Sequence, residues 1–133
     1  MEDTIFLLSR DEYLRYREFI PQLNFNWWLR SPSNCVGADY VVFVLRDGSP
    51  NVARVNNPYI WVRPALRLDK VKIKVYENIF VYCGITWVKI DKNIAISELP
   101  ISLQIFNKDK SNNYEKSDIR SYILNWLEKR KNY

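Results

Sequence analysis

The stretch Asn26-Trp27-Trp28-Leu29-Arg30-Ser31-Pro32 decides how this chain is read. It is too short and too aromatic for a helix, and Pro32 closes it, so it reads as a strand or an ordered loop. Adjacent residues on a strand point to opposite faces. One of Trp27 and Trp28 then belongs to the core, and the other packs under a second layer or a loop.

Working outward toward the N-terminus, Thr4 to Leu8 reads as a short apolar strand. Ser9 and Glu12 follow with the spacing of a capping box. A helix is expected from Arg10 to Phe19, with Tyr13, Tyr16 and Ile20 on its buried face and Arg15, Arg17 and Glu18 in water. Pro21 stops it. Toward the C-terminus, Ser33 to Gly37 is a loop, and Asp39 to Arg46 is a strand rich in Val, Tyr and Phe. Asp47-Gly48-Ser49-Pro50 is a turn, and Asn51 to Val55 pairs back as the hairpin partner. Ile60 to Leu68 is a strand kinked at Pro64, and because proline donates no ladder hydrogen bond that part is expected at an edge or a bulge.

Val71, Ile73 and Val75 alternate with Lys70, Lys72 and Lys74, the pattern of a half-exposed strand with an outer lysine row. Ile79 to Cys83, Thr86 to Ile90 and Asn93 to Ser97 read as three more strands, with Gly84 at the first turn. Ile101 to Phe106 is a further extended piece, and Asn107 to Lys116 is a polar loop. Ser117 caps a final helix whose apolar stripe is Ile119, Tyr122, Ile123, Trp126 and Leu127. Lys129, Arg130 and Lys131 sit where cations favour the helix dipole.

The chain has 133 residues, 47% of them hydrophobic, with 5 Trp, 9 Tyr and 6 Phe. That length suits one domain over residues 1–133 and supports a packed core. The net charge of +5 reflects 20 basic residues diluted by 15 acidic ones, and reads as ordinary solubility. Met1 is followed by Glu2 and Asp3, the wrong charge for a signal peptide, and Ile5 to Leu8 is too short for an h-region or a span. A cytoplasmic protein is expected, with no membrane partner and with Cys35 and Cys83 as buried, reduced thiols.

Trp27-Trp28-Leu29-Arg30-Ser31-Pro32 and the later Val62-Arg63-Pro64-Ala65-Leu66 resemble the WWLRSPG…DG…GVRPAL signature of a bacterial and phage domain family of unknown function. Asp47-Gly48 matches the internal turn of that family, and Ile5-Phe6-Leu7-Leu8-Ser9 with Glu12-Tyr13 resembles the strand and helix before it. Residues 1–68 form this signature half. In residues 69–133, Trp87-Val88-Lys89-Ile90-Asp91 and Ser117-Asp118-Ile119-Arg120 leading to Leu124-Asn125 resemble motifs that precede the signature in the family. Their position here implies a circularly permuted domain, or one half from each of two tandem copies. The family is similar to C-type-lectin-like and sulfatase-modifying-factor-like folds. The resemblance therefore implies a compact α+β domain with two helices and twisted antiparallel sheet. The chain departs from the signature at Ser33 and Trp61, which stand where the family has glycine.

With no histidine in the sequence, the usual general base, the Ser-His and Cys-His nucleophile systems and most zinc sites are removed. Gly37, Gly48 and Gly84 cannot build a phosphate loop. Asp39 and Asp47 bracket one strand as a glycosidase-like pair would, but Asp47 reads as the turn residue. No catalytic residue, metal or cofactor is expected. The expectation is a non-enzymatic protein that binds another macromolecule, as a monomer or small homo-oligomer. A phage or mobile-element inhibitor of a host protein such as a defence nuclease (anti-CRISPR-like) fits this best.

The resemblance places ligand-facing side chains between the two signature segments, at Asn34, Tyr40, Arg46, Arg54, Asn56, Asn57 and Tyr59, a paratope-like set. Nucleic-acid binding is the alternative, through Lys70, Lys72, Lys74, Lys129, Arg130 and Lys131. Carbohydrate binding follows by fold analogy alone. Trp27, Trp28, Arg30, Arg63 and Trp126 are read as structural, the two arginines pairing with buried acids or carbonyls.

Overall fold

A computed structural model describes residues 2–34, 36–71 and 73–131. Cys35 and Lys72, which carried two of the expectations above, lie outside the described residues.

Within these, the fold is α+β, with two helices and two five-stranded sheets. The elements run β1 (Ile5–Phe6), α1 (Arg10–Tyr16), β2 (Trp27–Pro32), β3 (Tyr40–Val44), β4 (Pro50–Arg54), β5 (Trp61–Val62) and β6 (Ala65–Arg67). They continue with β7 (Ile79–Tyr82), β8 (Ile85–Asp91), β9 (Ile94–Ser97), β10 (Ser102–Leu103) and α2 (Asp118–Arg130). One sheet has the order β1-β6-β9-β8-β7 and the other β10-β5-β2-β3-β4. Neighbours are antiparallel except β2 and β5, which run parallel with Trp27 opposite Trp61. Residues 1–68 and 69–133 both contribute strands to each sheet.

The two tryptophans of β2 are both buried, on opposite faces. Trp27 joins Leu29, Val42 and Val44 of its own sheet, Ala65, Ile90 and Ile96 of the other, and Tyr13 of α1 in one apolar cluster. Trp28 joins Val41, Phe43, Phe106 and Tyr114 with Ile119 and Ile123 of α2. A third cluster, on the outer face of the first sheet, gathers Ile5, Leu66, Trp87, Ala95 and Leu127. Helix α2 therefore covers both sheets, its first turns on one and its last on the other. This follows from its stripe, since Ile119, Ile123 and Leu127 recur every four residues and are all buried. Ser117 caps it by accepting the Arg120 N–H at 3.2 Å, and the Arg120 guanidinium grips the Asp3 carboxylate at 2.8 and 2.9 Å.

Several expectations are corrected. The α-helix after the Ser9–Glu12 capping box ends at Tyr16, and Arg17–Phe19 continues as a 3₁₀ turn. Among the described residues, 71–78 forms no strand. Leu68–Lys70 is a 3₁₀ turn, and the chain beyond it is pinned by Val71, which belongs to the Leu127 cluster. Alternation there reflects one anchored side chain, not a ladder. The loop 107–116 likewise has an anchor, with Tyr114 buried in a 3₁₀ turn. Cys83 is a half-buried free thiol, placed with Gly84 in the β7–β8 turn at φ of 54° and 80°, the two positive values of a type I′ turn. The kink at Pro64 lies neither at an edge nor at a bulge. It is the crossing at which the chain leaves one sheet at Val62 and enters the other at Ala65. Proline fits there because its missing N–H falls between ladders.

Candidate functional site

The crossing at 62–65 is matched by a second one. The chain leaves β9 at Ser97 and re-enters the other sheet at Ser102. The Ser97 N–H donates to the Pro64 carbonyl at 3.0 Å and the Ile101 N–H to that of Val62 at 2.9 Å. Arg63 lies between them with 0% of its surface exposed. Its Nε donates to the Ser97 carbonyl at 2.9 Å and its Nη2 to that of Glu98 at 3.2 Å. Its guanidinium carbon lies 5.0 Å from the centre of the Trp27 ring, a cation–π distance. Desolvation pulls the Arg63 pKa down to about 10, against the weaker pull of Tyr13 and Glu98. It therefore stays charged at neutral pH. Among the described residues no carboxylate pairs with it, and its Nη1 has no hydrogen-bond acceptor.

Over Arg63 opens a cleft of about 360 Å³ between α1 and the β3–β4 turn. Tyr13 forms one wall, its hydroxyl donating to the Gly48 carbonyl at 2.6 Å and its ring standing edge-on to Trp27 at 5.4 Å. Arg17 donates to the same carbonyl at 2.8 Å and rests 5.5 Å above the Tyr13 ring. Gly48 has φ of +91°, which restricts the position to glycine.

The other signature residues hold the frame. Arg30 pairs with the Glu12 carboxylate and donates to the Leu7 carbonyl at 2.7 Å. Trp28 donates its indole N–H to the Gln104 carbonyl at 2.8 Å. Trp126 is half-buried against Trp87, with Arg130 4.8 Å over its ring.

The expected contact set is split. Tyr40 and Arg54 are cross-strand partners at one end of the β3–β4 hairpin, with Arg54 5.2 Å over the tyrosine ring and paired to Asp39. Asn56, Asn57 and Tyr59 follow in the next turn, where Asn57 accepts the Tyr59 N–H at 2.9 Å. Asn34 is exposed in the β2–β3 connection at that same end. Arg46 is not with them. It sits at the opposite tip of the hairpin, one strand length or roughly 15 Å away, held through its N–H by Asn26. Asp47 accepts the hydroxyl and N–H of Ser49, which hold its carboxyl below the usual range, so it serves the turn.

The basic set is also partly spent on local pairs. Lys70 lies 3.7 Å from Glu2 and Lys131 2.8 Å from Glu128. Lys74 and Lys129 are exposed.

One surface went unnoticed in the sequence. Strand β7 is the outer edge of its sheet, and it carries Ile79 and Val81 on its open face, 55% and 72% exposed, with Tyr76 at 85% just before it. The available signal was Ile79-Phe80-Val81-Tyr82 itself, apolar at every position where a half-buried strand alternates.

Residues 15–70 match the model of a family described as a domain of unknown function, DUF6273. The matched segment runs from α1 through β6 and the 3₁₀ turn after it, and so contains Trp27, Trp28, Arg30 and Arg63. No curated protein and no solved structure matches the chain. Among the described residues, no helix is long and apolar enough to cross a membrane.

Proposed function

We propose that this protein works by contact, binding another protein along β7 without chemistry of its own. The observation that carries the reading is the unprotected edge. Edge strands are ordinarily shielded by lysine, proline or brevity. The edge strand β4 has Pro50 and Arg54, while β1 and β10 have two residues each. Strand β7 has four residues and none of these devices. Its outward N–H and C=O groups select an extended segment, and Ile79 and Val81 select apolar side chains at alternate positions of that segment. The occupant is a strand of a partner protein. An inhibitor of a host defence nuclease is one form of this reading. The loops bearing Asn34, Tyr40, Arg54, Asn56, Asn57 and Tyr59 are proposed as a second, polar contact area. The reading takes the fold to be C-type-lectin-like and permuted, supported by two helices around two sheets and by a family match over residues 15–70, almost all of it in the signature half.

The test is Val81→Lys, which puts a charge on the open face without touching a core cluster. Wild type and variant are immobilised and exposed to host lysate in physiological salt. A defined protein held by the wild type and lost from the variant, with unchanged urea midpoints, is the expected result. Identical capture by both, or a wild-type homodimer that Val81→Lys dissociates, overturns the reading.

A further inference from the structure

A charged side chain taken wholly out of water normally comes with a partner for every donor. Arg63 does not. Nε and Nη2, one edge of the guanidinium fork, are turned to the Ser97 and Glu98 carbonyls. Nη1, at the far vertex, has no acceptor among the described residues. The same side chain belongs to the wall of the cleft between α1 and the β3–β4 turn.

We propose that this cleft binds a small monocarboxylate with an apolar tail, whose carboxylate supplies the acceptor that Nη1 lacks. The charged lining sums to zero, so the unpaired donor, and not a net positive field, is what calls for a single negative charge. Arg17 and Arg63 line the cleft, but so do Glu18 and Asp47, which a dianion such as phosphate would also meet. The apolar tail follows from Ile20, Pro21, Leu23, Trp27, Val44 and Leu45 on the remaining wall. At about 360 Å³ the space is at the small end of the usual range of roughly 300–1,000 Å³ for ligand sites. Nη1 has no accessible surface of its own, so a ligand reaches it only when a side chain of the wall moves. Arg17, which is exposed and tied to the Gly48 carbonyl, is the side chain that swings aside to admit the ligand and then closes on its carboxylate. The site is separate from β7, so either assignment stands or falls alone.

The experiment titrates the full chain with sodium butyrate, against sodium chloride at equal ionic strength. The readouts are tryptophan fluorescence, since Trp27 lies under the guanidinium, and the Arg63 side-chain nitrogen resonances. The expected result is a saturable change with butyrate, weaker with acetate by roughly 4-fold per methylene lost. Arg17→Gln, an exposed position that leaves the fold intact, weakens it by about 5-fold or more. A response equal to that of chloride, one unaffected by Arg17→Gln, or tighter binding of inorganic phosphate overturns the proposal. No saturation below concentrations on the order of 0.1 M overturns it as well, and leaves a buried water as the acceptor for Nη1.

Discussion

Replacing Arg63 by methionine should damage this protein less than replacing it by lysine. The fall of the Arg63 pKa to about 10 means that holding the charge in the folded state costs on the order of 3 kcal/mol. Arg63→Met removes that cost and fills the space with apolar atoms. It loses the hydrogen bonds to Ser97 and Glu98, each worth about 1.5–3 kcal/mol when the donor is charged. The net loss is about 1–2 kcal/mol. Arg63→Lys keeps a buried charge, but a lysine cannot fork across two consecutive carbonyls, and its ammonium is more strongly hydrated. Its cost is limited only by driving off the proton, roughly 4–5 kcal/mol at pH 7. Urea unfolding of the three proteins at pH 7 gives the order wild type, methionine, lysine. The pH arm has a fixed sign. A cation whose folded pKa is depressed binds its proton less tightly when folded, so the wild type gains stability over Arg63→Met as pH climbs through about 10. A lysine variant as stable as the methionine one, or a wild-type advantage that shrinks above pH 10, refutes the reasoning.

Trp28→Phe removes the indole N–H from the Gln104 carbonyl and leaves a void in the cluster shared with α2. A loss of about 2 kcal/mol is expected from the urea midpoint with an unchanged slope. The Ser97 hydroxyl is buried without a partner among the described residues, so Ser97→Ala should stabilise by up to about 1 kcal/mol, a rise of roughly 3–5 °C in a thermal melt. At Glu12, burial raises the carboxyl pKa, but the Ser9 N–H and Arg30 outweigh it and the net shift is downward. Its contribution is therefore present above the ordinary glutamate value and lost as pH falls through the lower folded one. Urea unfolding of Glu12→Gln should give a stability about 1 kcal/mol below wild type at pH 7, and the two should converge as pH falls through the lowered folded pKa.

Both helices, the β3–β4 and β7–β8 hairpins and the opposed tryptophans were legible in the sequence, because each rests on a local rule of capping, turn chemistry or side-chain period. The assignment of strands to sheets was not. Val62 and Ala65 lie three residues apart in one expected strand, and Pro64 between them marks a kink without saying that the chain changes sheets there. The lysine-alternating segment misled for a related reason, since period two shows a strand only when another strand is there to pair. Arg63 could be read as a buried pairing residue, but its incomplete pairing depends on where Ser97 and Glu98 arrive from the other half of the chain. The split of Arg46 from Tyr40 and Arg54 is likewise a matter of strand length, which a list of loop residues does not carry.

The paired crossings at 62–65 and 97–102 make the sheets mechanically one body. A hinge between them would have to break the Ser97–Pro64 and Ile101–Val62 bonds together and withdraw Arg63 from both carbonyls. Relative rotation of the layers therefore costs both backbone bonds and the Arg63 contacts at once. The Ser97 and Ile101 amides should surrender their protons to deuterium no faster than global unfolding permits. A partner docked on β7 therefore meets a sheet already tied to the other layer at these two crossings.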